Sequence, residues 1–169
     1  MVKESETGIA FPQWIEAPAE DKTARQDLLG VGVREKTVFK VNVYAMGLYV
    51  DAAAATPLLV KAAGKLERRK ALKDVGFQAV LLRDEVGKSL RWVMARDVGA
   101  ADIAEAFTES LEPRVKRLAK TEEEMKAATA ALDAFRAYFA SGELTEGTEL
   151  RFHWEPGGRL HTIIGGARK

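Results

Sequence analysis

The longest β-prone run in the chain covers residues 30–51, and over residues 37–50 β-branched and aromatic residues recur with only Gly47 to interrupt them and alternate with period two. The odd positions Phe39, Val41, Val43, Ala45 and Tyr49 are almost wholly apolar. The even positions run Lys40, Asn42, Tyr44, Met46, Leu48. Successive side chains of a strand point to opposite faces. The stretch therefore predicts a strand with one core face, burying Phe39, Val41 and Val43, and a second face that passes from polar to apolar along its length. The second face suits the wall of an amphiphilic pocket; a surface strand wet at its polar end carries the same pattern.

The same reading places the other elements. Ile9, Ala10 and Phe11 before Pro12 suit a short edge element. Residues 16–26 read as a charged loop, and residues 28–34 alternate into a strand. Thr56-Pro57 has the form of an N-cap and first helical position, with a short helix to Ala63 and Gly64 to stop it. Residues 75–83 and 89–96 read as two strands joined by a five-residue loop containing Gly87. In the second, Leu90, Trp92 and Met94 share a face. A helix follows over residues 100–111, with Ile103, Phe107 and Leu111 on one stripe and Ser110 beside it. Pro113 is expected to kink or end it. Thr121 and Glu124 make a capping box for a helix with Met125, Ala128, Leu132, Phe135 and Phe139 inward, closed at Ser141-Gly142. Residues 148–155 alternate, with Leu150, Phe152 and a core Trp154 on one side and Glu149, Arg151 and His153 on the other. The chain turns at Gly157-Gly158 and returns over 159–164. Two consecutive helices inside a set of strands predict an α+β fold: an antiparallel sheet of six or seven strands with the helices of residues 100–140 packed on one face.

The chain has 169 residues, enough for one domain with a proper core, with residues 1–7 a loose tail. Its net charge of +1 suggests neither a nucleic-acid nor a membrane-surface protein. One stretch departs from that balance: residues 65–73 are strongly basic, with Arg68, Arg69 and Lys70 consecutive, which reads as an anion-binding patch or a solvated face. Cysteine is absent, which excludes disulfide and thiol chemistry. No apolar run approaches the roughly 18 residues of a membrane span. The N-terminal MVKESETG does not read as a signal peptide, so the compartment stays open between cytoplasm and export with a signal already removed.

Signals for chemistry are sparse. GVGVRE, from Gly30, lacks the third glycine of a dinucleotide fingerprint and the lysine of a P-loop. A nucleophile elbow and a His-Glu-x-x-His motif are both missing. With a two-residue turn at Gly157-Gly158, His161 would face Trp154 and His153 would face Thr162. The two imidazoles would then point to opposite faces, and no metal site is expected.

Gly30, Gly32, Arg34, Tyr44, Ala45, Gly47 and Tyr49 form a Gly-rich lead, an arginine and a strand ending Tyr-Ala-x-Gly-x-Tyr. With Phe11-Pro12 upstream and the element order downstream, this run resembles the signature of the chalcone isomerase-like family over residues 8–165. The resemblance implies that family's open-faced β-sandwich and a cofactor-independent site in a cleft between sheet and helices. The family's plant enzymes cyclise chalcones to flavanones; other members bind fatty acids in the same cleft, and many bacterial members have no known activity. Cyclisation needs a cation beside the phenolate and polar groups for the developing enolate. The family's arginine falls on Arg34. The plant enzymes' strand threonine falls on Tyr44, their helix Tyr and Asn fall on Ile103 and Ser110, and a further polar pair would fall beyond Lys169. Each lost oxyanion-type donor typically costs about 10²–10³ in rate. The resemblance is thus to the fatty-acid-binding and bacterial members rather than to the plant enzymes.

What it implies is a non-catalytic site for a fatty acid or similar apolar carboxylate. Arg34 and Tyr44 would hold the head, with Met46, Leu48, Ile103, Phe107 and Ser110 around the rest. If chemistry persists, it is that of an isomerase (intramolecular lyase), and Arg34 and Tyr44 would carry it. The third alternative is a structural or partner-binding domain without a small ligand. The expected partner is one small amphipathic molecule, a fatty acid or a phenolic compound, with no nucleic acid, no metal and no cofactor, on a monomer. Arg34 and Tyr44 would lie roughly 33 Å apart on a straight strand, so they meet only if the chain turns between them, and Glu35-Lys36 is a candidate turn. The competing role for Arg34 is a structural salt bridge.

Overall fold

In a computed structural model of the chain, which describes residues 1–19, 22–36, 41–64, 66–71, 73–139 and 142–169, the alternating runs form antiparallel strands. Along the chain these are β1 (Val2–Lys3), β2 (Ala10–Phe11), β3 (Trp14–Ala19), β4 (Lys22–Lys36), β5 (Val41–Val50), β6 (Lys88–Met94), β7 (Val98–Gly99), β8 (Glu143–Leu144), β9 (Glu149–Trp154), β10 (Leu160–Ile164) and β11 (Ala167–Arg168). The helices are α1 (Ala52–Ala63), α2 (Arg68–Ala71), α3 (Val75–Ala79), α4 (Ala100–Leu118) and α5 (Glu122–Ala137). Among the described residues the main sheet has seven strands, in the order β11-β10-β9-β6-β5-β4-β3. The α+β class with an antiparallel sheet is as expected. The chain divides into two compact units: Met1–Ala95 with Thr148–Lys169, which holds this sheet and α1–α3, and Arg96–Gly147, which holds α4, α5 and the β7–β8 pair.

The sheet is curled. Gln26 Nε2 of β4 lies 3.4 Å from His153 Nδ1 of β9. Those strands are three places apart, about 14 Å in a flat sheet, a gap the two side chains do not span. Irregularities in the β4–β5 pairing, with Leu29 extra on β4 and Val43 extra on β5, contribute, because an extra residue bends a strand and increases its twist. The first also changes the faces. Leu28 pairs with Tyr49 and Gly30 with Leu48, so Leu29 is extruded and stands 49% exposed.

The odd face of β5 is a core face, as its pattern predicts. Ala45 and Tyr49 are fully buried, and the β1–β2 ribbon supplies its cover through Phe11, which packs with Ala45, Val93, Ile9, Leu28 and Val31. A Cβ on Gly47 would stand 2.7 Å from Phe11 Cδ1 and 3.0 Å from Tyr49 Cε2. Glycine there is what lets the Phe11 ring lie on the strand. Tyr49 Oη donates to the Pro12 carbonyl at 3.1 Å, and the Arg91 guanidinium lies 5.2 Å from the Phe11 ring centre. The ribbon's turn is held by the Glu4 carboxylate, which accepts from the Thr7 amide at 2.9 Å and the Thr7 hydroxyl at 2.8 Å.

Several expectations are corrected. Residues 16–26 are not a loop: apart from residues 20 and 21, which lie outside the described residues, they belong to the β3–β4 hairpin, with Glu16 opposite Arg25 and Ala17 opposite Ala24. Charge on the exposed positions masked the alternation of Ile15, Ala17 and Gln26, all buried. Pro18 is tolerated because β3 is an edge strand. Residues 75–83 are not a strand. Asp74 Oδ1 accepts from the Phe77 amide at 2.8 Å and caps α3, and a 3-10 turn follows over Val80–Leu82. The cap and the spacing of Phe77, Val80 and Leu81 were the available signals. Helix α1 starts five residues before Pro57, at Ala52, capped by Asp51 rather than Thr56. Its inner face, Ala55, Leu58 and Leu59, packs on Val50, Val86 and Leu81; Gly64 caps its C-terminus.

In the second unit α4 runs through Pro113 to Leu118. Position 113 is exposed, and the Arg114 guanidinium reaches back to the Ser110 carbonyl. The Thr121 cap forms, with Oγ1 accepting from the Glu124 amide at 3.1 Å. Phe107 meets Phe135 and Phe139 at ring-centre distances of 4.9 and 5.5 Å. Phe135 and Trp154 are half-buried rather than core. Val41 is exposed and Val43 half-buried, because pairing of β5 with β6 begins only at Tyr44. Helix α5 ends at Ala137 with Tyr138 as its C-cap, before the expected close at Ser141-Gly142; Phe39, Lys40 and Ser141 lie outside the described residues.

Candidate functional site

The antiparallel pairing of β4 with β5 decides how Arg34 and Tyr44 relate. The two residues are register partners, so their side chains leave the same face side by side. Glu35 and Lys36 belong to β4, opposite Asn42 and Val41, and are not the turn; residues 37–40 lie outside the described residues. Met46 and Leu48 follow Tyr44 on that face. Their β4 partners are Gly32 and Gly30, and a Cβ at either would meet nothing within 4 Å. A strip of the face over β4 is therefore open beside the two apolar side chains. On the other side, β6 places Met94 opposite Tyr44, Trp92 opposite Met46 and Leu90 opposite Leu48. Next, β9 adds Leu150 and Phe152. Tyr44 stacks on Trp92 with ring centres 4.1 Å apart and planes 9° from parallel, and Trp92 meets Phe152 edge-on at 5.0 Å.

Burial on this face rises across the strands from β4 to β9: Arg34 is exposed, Tyr44, Met46 and Leu48 are half-buried, and Met94 and Leu150 are fully buried. Burial pushes the Tyr44 phenol above its ordinary value and the nearby Arg34 guanidinium pulls against it. A tyrosyl phenol is protonated at neutral pH even at its ordinary value, so Tyr44 is a hydrogen-bond donor beside a cation. A cation and a donor at the rim of an apolar surface match a carboxylate head on an apolar tail.

The other expected site residues sit on α4 in the second unit. Ile103 is buried, Phe107 belongs to the aromatic cluster with Phe135 and Phe139, and Ser110 is exposed, its Oγ accepting from Arg114 at 2.7 Å.

A second polar group stands on the opposite face of the sheet, and the sequence reading missed it. His161 pairs with His153, not with Trp154. The imidazoles therefore share a face, with ring centres 5.9 Å apart and planes 18° from parallel. Five residues, not two, separate the paired strand ends Trp154 and Leu160, and the pairing slip reversed the expected orientation. Ser89 Oγ donates to Gln26 Oε1 at 2.6 Å and lies 2.9 Å from His153 Nδ1. His161 Nε2 lies 2.7 Å from Glu155 Oε1, and Arg168 donates to its Nδ1. Gln26, Ser89 and His153 are all at most 3% exposed, so the hydroxyl–imidazole pair has no access for a substrate. Among the described residues, no three His, Cys, Asp or Glu side chains are arranged to hold a metal ion.

The cluster makes stability depend on pH. Burial lowers the His153 pKa below its ordinary 6.5; the Pro18 backbone contact opposes this and His161 adds to it. Above about pH 6.5 His153 is neutral in both folded and unfolded chains. Below it the unfolded chain binds the proton first, so stability is lost as pH falls through the folded value. Melting temperature should drop as pH falls below about 6.5, and His153→Gln should flatten that slope. Equal slopes in parent and variant would show that His153 does not govern it.

A family model described as chalcone isomerase like matches residues 24–169. No curated protein matches the chain at a significant level. Among solved structures, the crystal structure of a fatty-acid binding protein from Arabidopsis thaliana superposes with a TM-score of 0.76 at 23% sequence identity. It covers 99% of this chain and 79% of that one. The likeness in fold includes the β1–β3 segment that precedes the family match.

Proposed function

Because the chain belongs to the chalcone isomerase-like family, we propose that it binds a fatty acid or similar long-chain carboxylate on the face of the sheet that carries Arg34, Tyr44, Met46 and Leu48. The observation that carries this reading is the register pairing of Arg34 with Tyr44 at the rim of an apolar face left open over Gly30 and Gly32. The arginine supplies a two-pronged donor for a carboxylate, and the protonated Tyr44 phenol adds a third hydrogen bond. Met46 and Leu48 run alongside as contacts for the tail. The proposed site is the sheet face alone; Ile103, Phe107 and Ser110 are not used. The name of the Arabidopsis relative supports the ligand class.

The reading is non-catalytic. Tyr44 stacks on Trp92 and serves as a donor, and it stands where the plant enzymes have a threonine. Mass spectrometry of small molecules extracted from purified protein should yield long-chain carboxylates, and calorimetric titration of delipidated protein should show binding. Tyr44→Phe removes one hydrogen bond to a charged group and should weaken binding by about 1.5 kcal/mol, roughly tenfold. Arg34→Lys keeps the charge and loses the fork, so it should fall between parent and Arg34→Ala. A protein that binds no long-chain carboxylate, or one that accelerates cyclisation of a hydroxychalcone by about 10⁶, would overturn the reading.

A further inference from the structure

We propose that the segment from Val60 to Arg83 is a docking surface for the headgroup layer of an anionic membrane. It holds seven basic residues and two acidic ones, a net of +5 in a chain whose total is +1. The balanced total hides this concentration. Val60, Leu66, Val75 and Leu82 also lie here, exposed by 67%, 42%, 78% and 76%. A single exposed leucine needs no explanation, but four large apolar side chains within one basic segment do. The core does not need them: α1 turns Ala55, Leu58 and Leu59 inward, with Leu81 beside them, which leaves Val60 and Leu82 outside.

Among the described residues Lys61, Arg69 and Lys73 have no carboxylate within ion-pair distance, while Lys70 is paired with Glu67 at 3.7 Å. Leu66, Glu67, Arg69, Lys70, Lys73 and Asp74 line a shallow surface groove of about 510 Å³, three cations against two carboxylates. Cations attract anionic headgroups, and apolar side chains between them enter the boundary with the acyl chains. A nucleic acid would use the cations and stacking aromatics, not exposed valines and leucines, so the apolar component selects the membrane. Among the described residues no helix is long and apolar enough to cross a bilayer; the contact proposed is an interfacial one. It is independent of the fatty-acid reading, since it uses other side chains and is measured on delipidated protein.

The test is sedimentation of the full chain with vesicles of phosphatidylcholine alone or with about 30 mol % phosphatidylglycerol. Binding is expected only with the anionic vesicles and should weaken with salt. Lys61→Gln/Arg69→Gln/Lys73→Gln should lose roughly 100-fold in affinity; if this triple variant does not fold, Arg69→Gln alone should lose roughly fivefold. Val75→Ser/Leu82→Ser should lose roughly tenfold while its retention on heparin stays that of the parent. No sedimentation with anionic vesicles would overturn the proposal. So would vesicle binding that Val75→Ser/Leu82→Ser leaves intact, which would mark a site for soluble polyanions.

Discussion

Phe11→Ala should cost about 3–5 kcal/mol of folding stability, read as the shift in a urea unfolding curve. The ring is fully buried, packs on Ala45 and Val93, and is the main cover that the β1–β2 ribbon brings to the odd face of β5. Its removal leaves a cavity over Gly47 and releases the contact through which Tyr49 reaches Pro12. The partner substitution sharpens the test. In the parent, Gly47→Ala drives a methyl into Phe11 and should cost about 1–3 kcal/mol. In the Phe11→Ala background most of that clash is gone, so the two changes should couple strongly. Additive costs would show that Gly47 is not there for the ring.

Arg34→Ala should weaken long-chain fatty-acid binding by about 2–3 kcal/mol, roughly 30- to 150-fold, measured by calorimetry on folded protein. Truncating one partner of a charge pair leaves the carboxylate at the rim of an apolar surface with a single donor, Tyr44. The loss belongs at the lower end of the range for such pairs, because Arg34 is exposed and water compensates part of it. The larger figures apply to fully desolvated pairs. Among the described residues no carboxylate lies within ion-pair distance of Arg34, so Arg34→Ala should leave the unfolding curve nearly unchanged. A variant that binds as tightly as the parent would remove Arg34 from the site. One that loses stability instead would assign it a structural role.

The family signature acquires physical content in the fold. Arg34 and Tyr44 meet as register partners, Gly30 and Gly32 leave one face open, and Phe11, Pro12, Gly47 and Tyr49 form a single contact on the other. Those residues were legible as a set before their contacts were. The capping of α5 by Thr121 and the two-faced character of β5 were legible too. Residues 16–26 and 75–83 were not. In the first, charged side chains on an exposed edge hid a short alternation; in the second, β-prone residues are helical because Asp74 caps them and α1 packs against them.

What the sequence by itself determined is local: which stretches alternate, where caps and stops fall, and that β5 has one core face and one face running from polar to apolar. Each depends on residues within a few positions of one another, whose side-chain directions follow from the backbone period. The tertiary structure alone decided which residues face each other. The antiparallel register of β4 and β5 set Arg34 beside Tyr44. The five-residue connection after Trp154 set His161 beside His153, and the irregularity at Leu29 moved Leu28 to the face opposite Gly30. Such pairings depend on the number of residues in a turn or bulge. One residue more or less transfers every later side chain to the other face, and nothing in the alternation itself records that count.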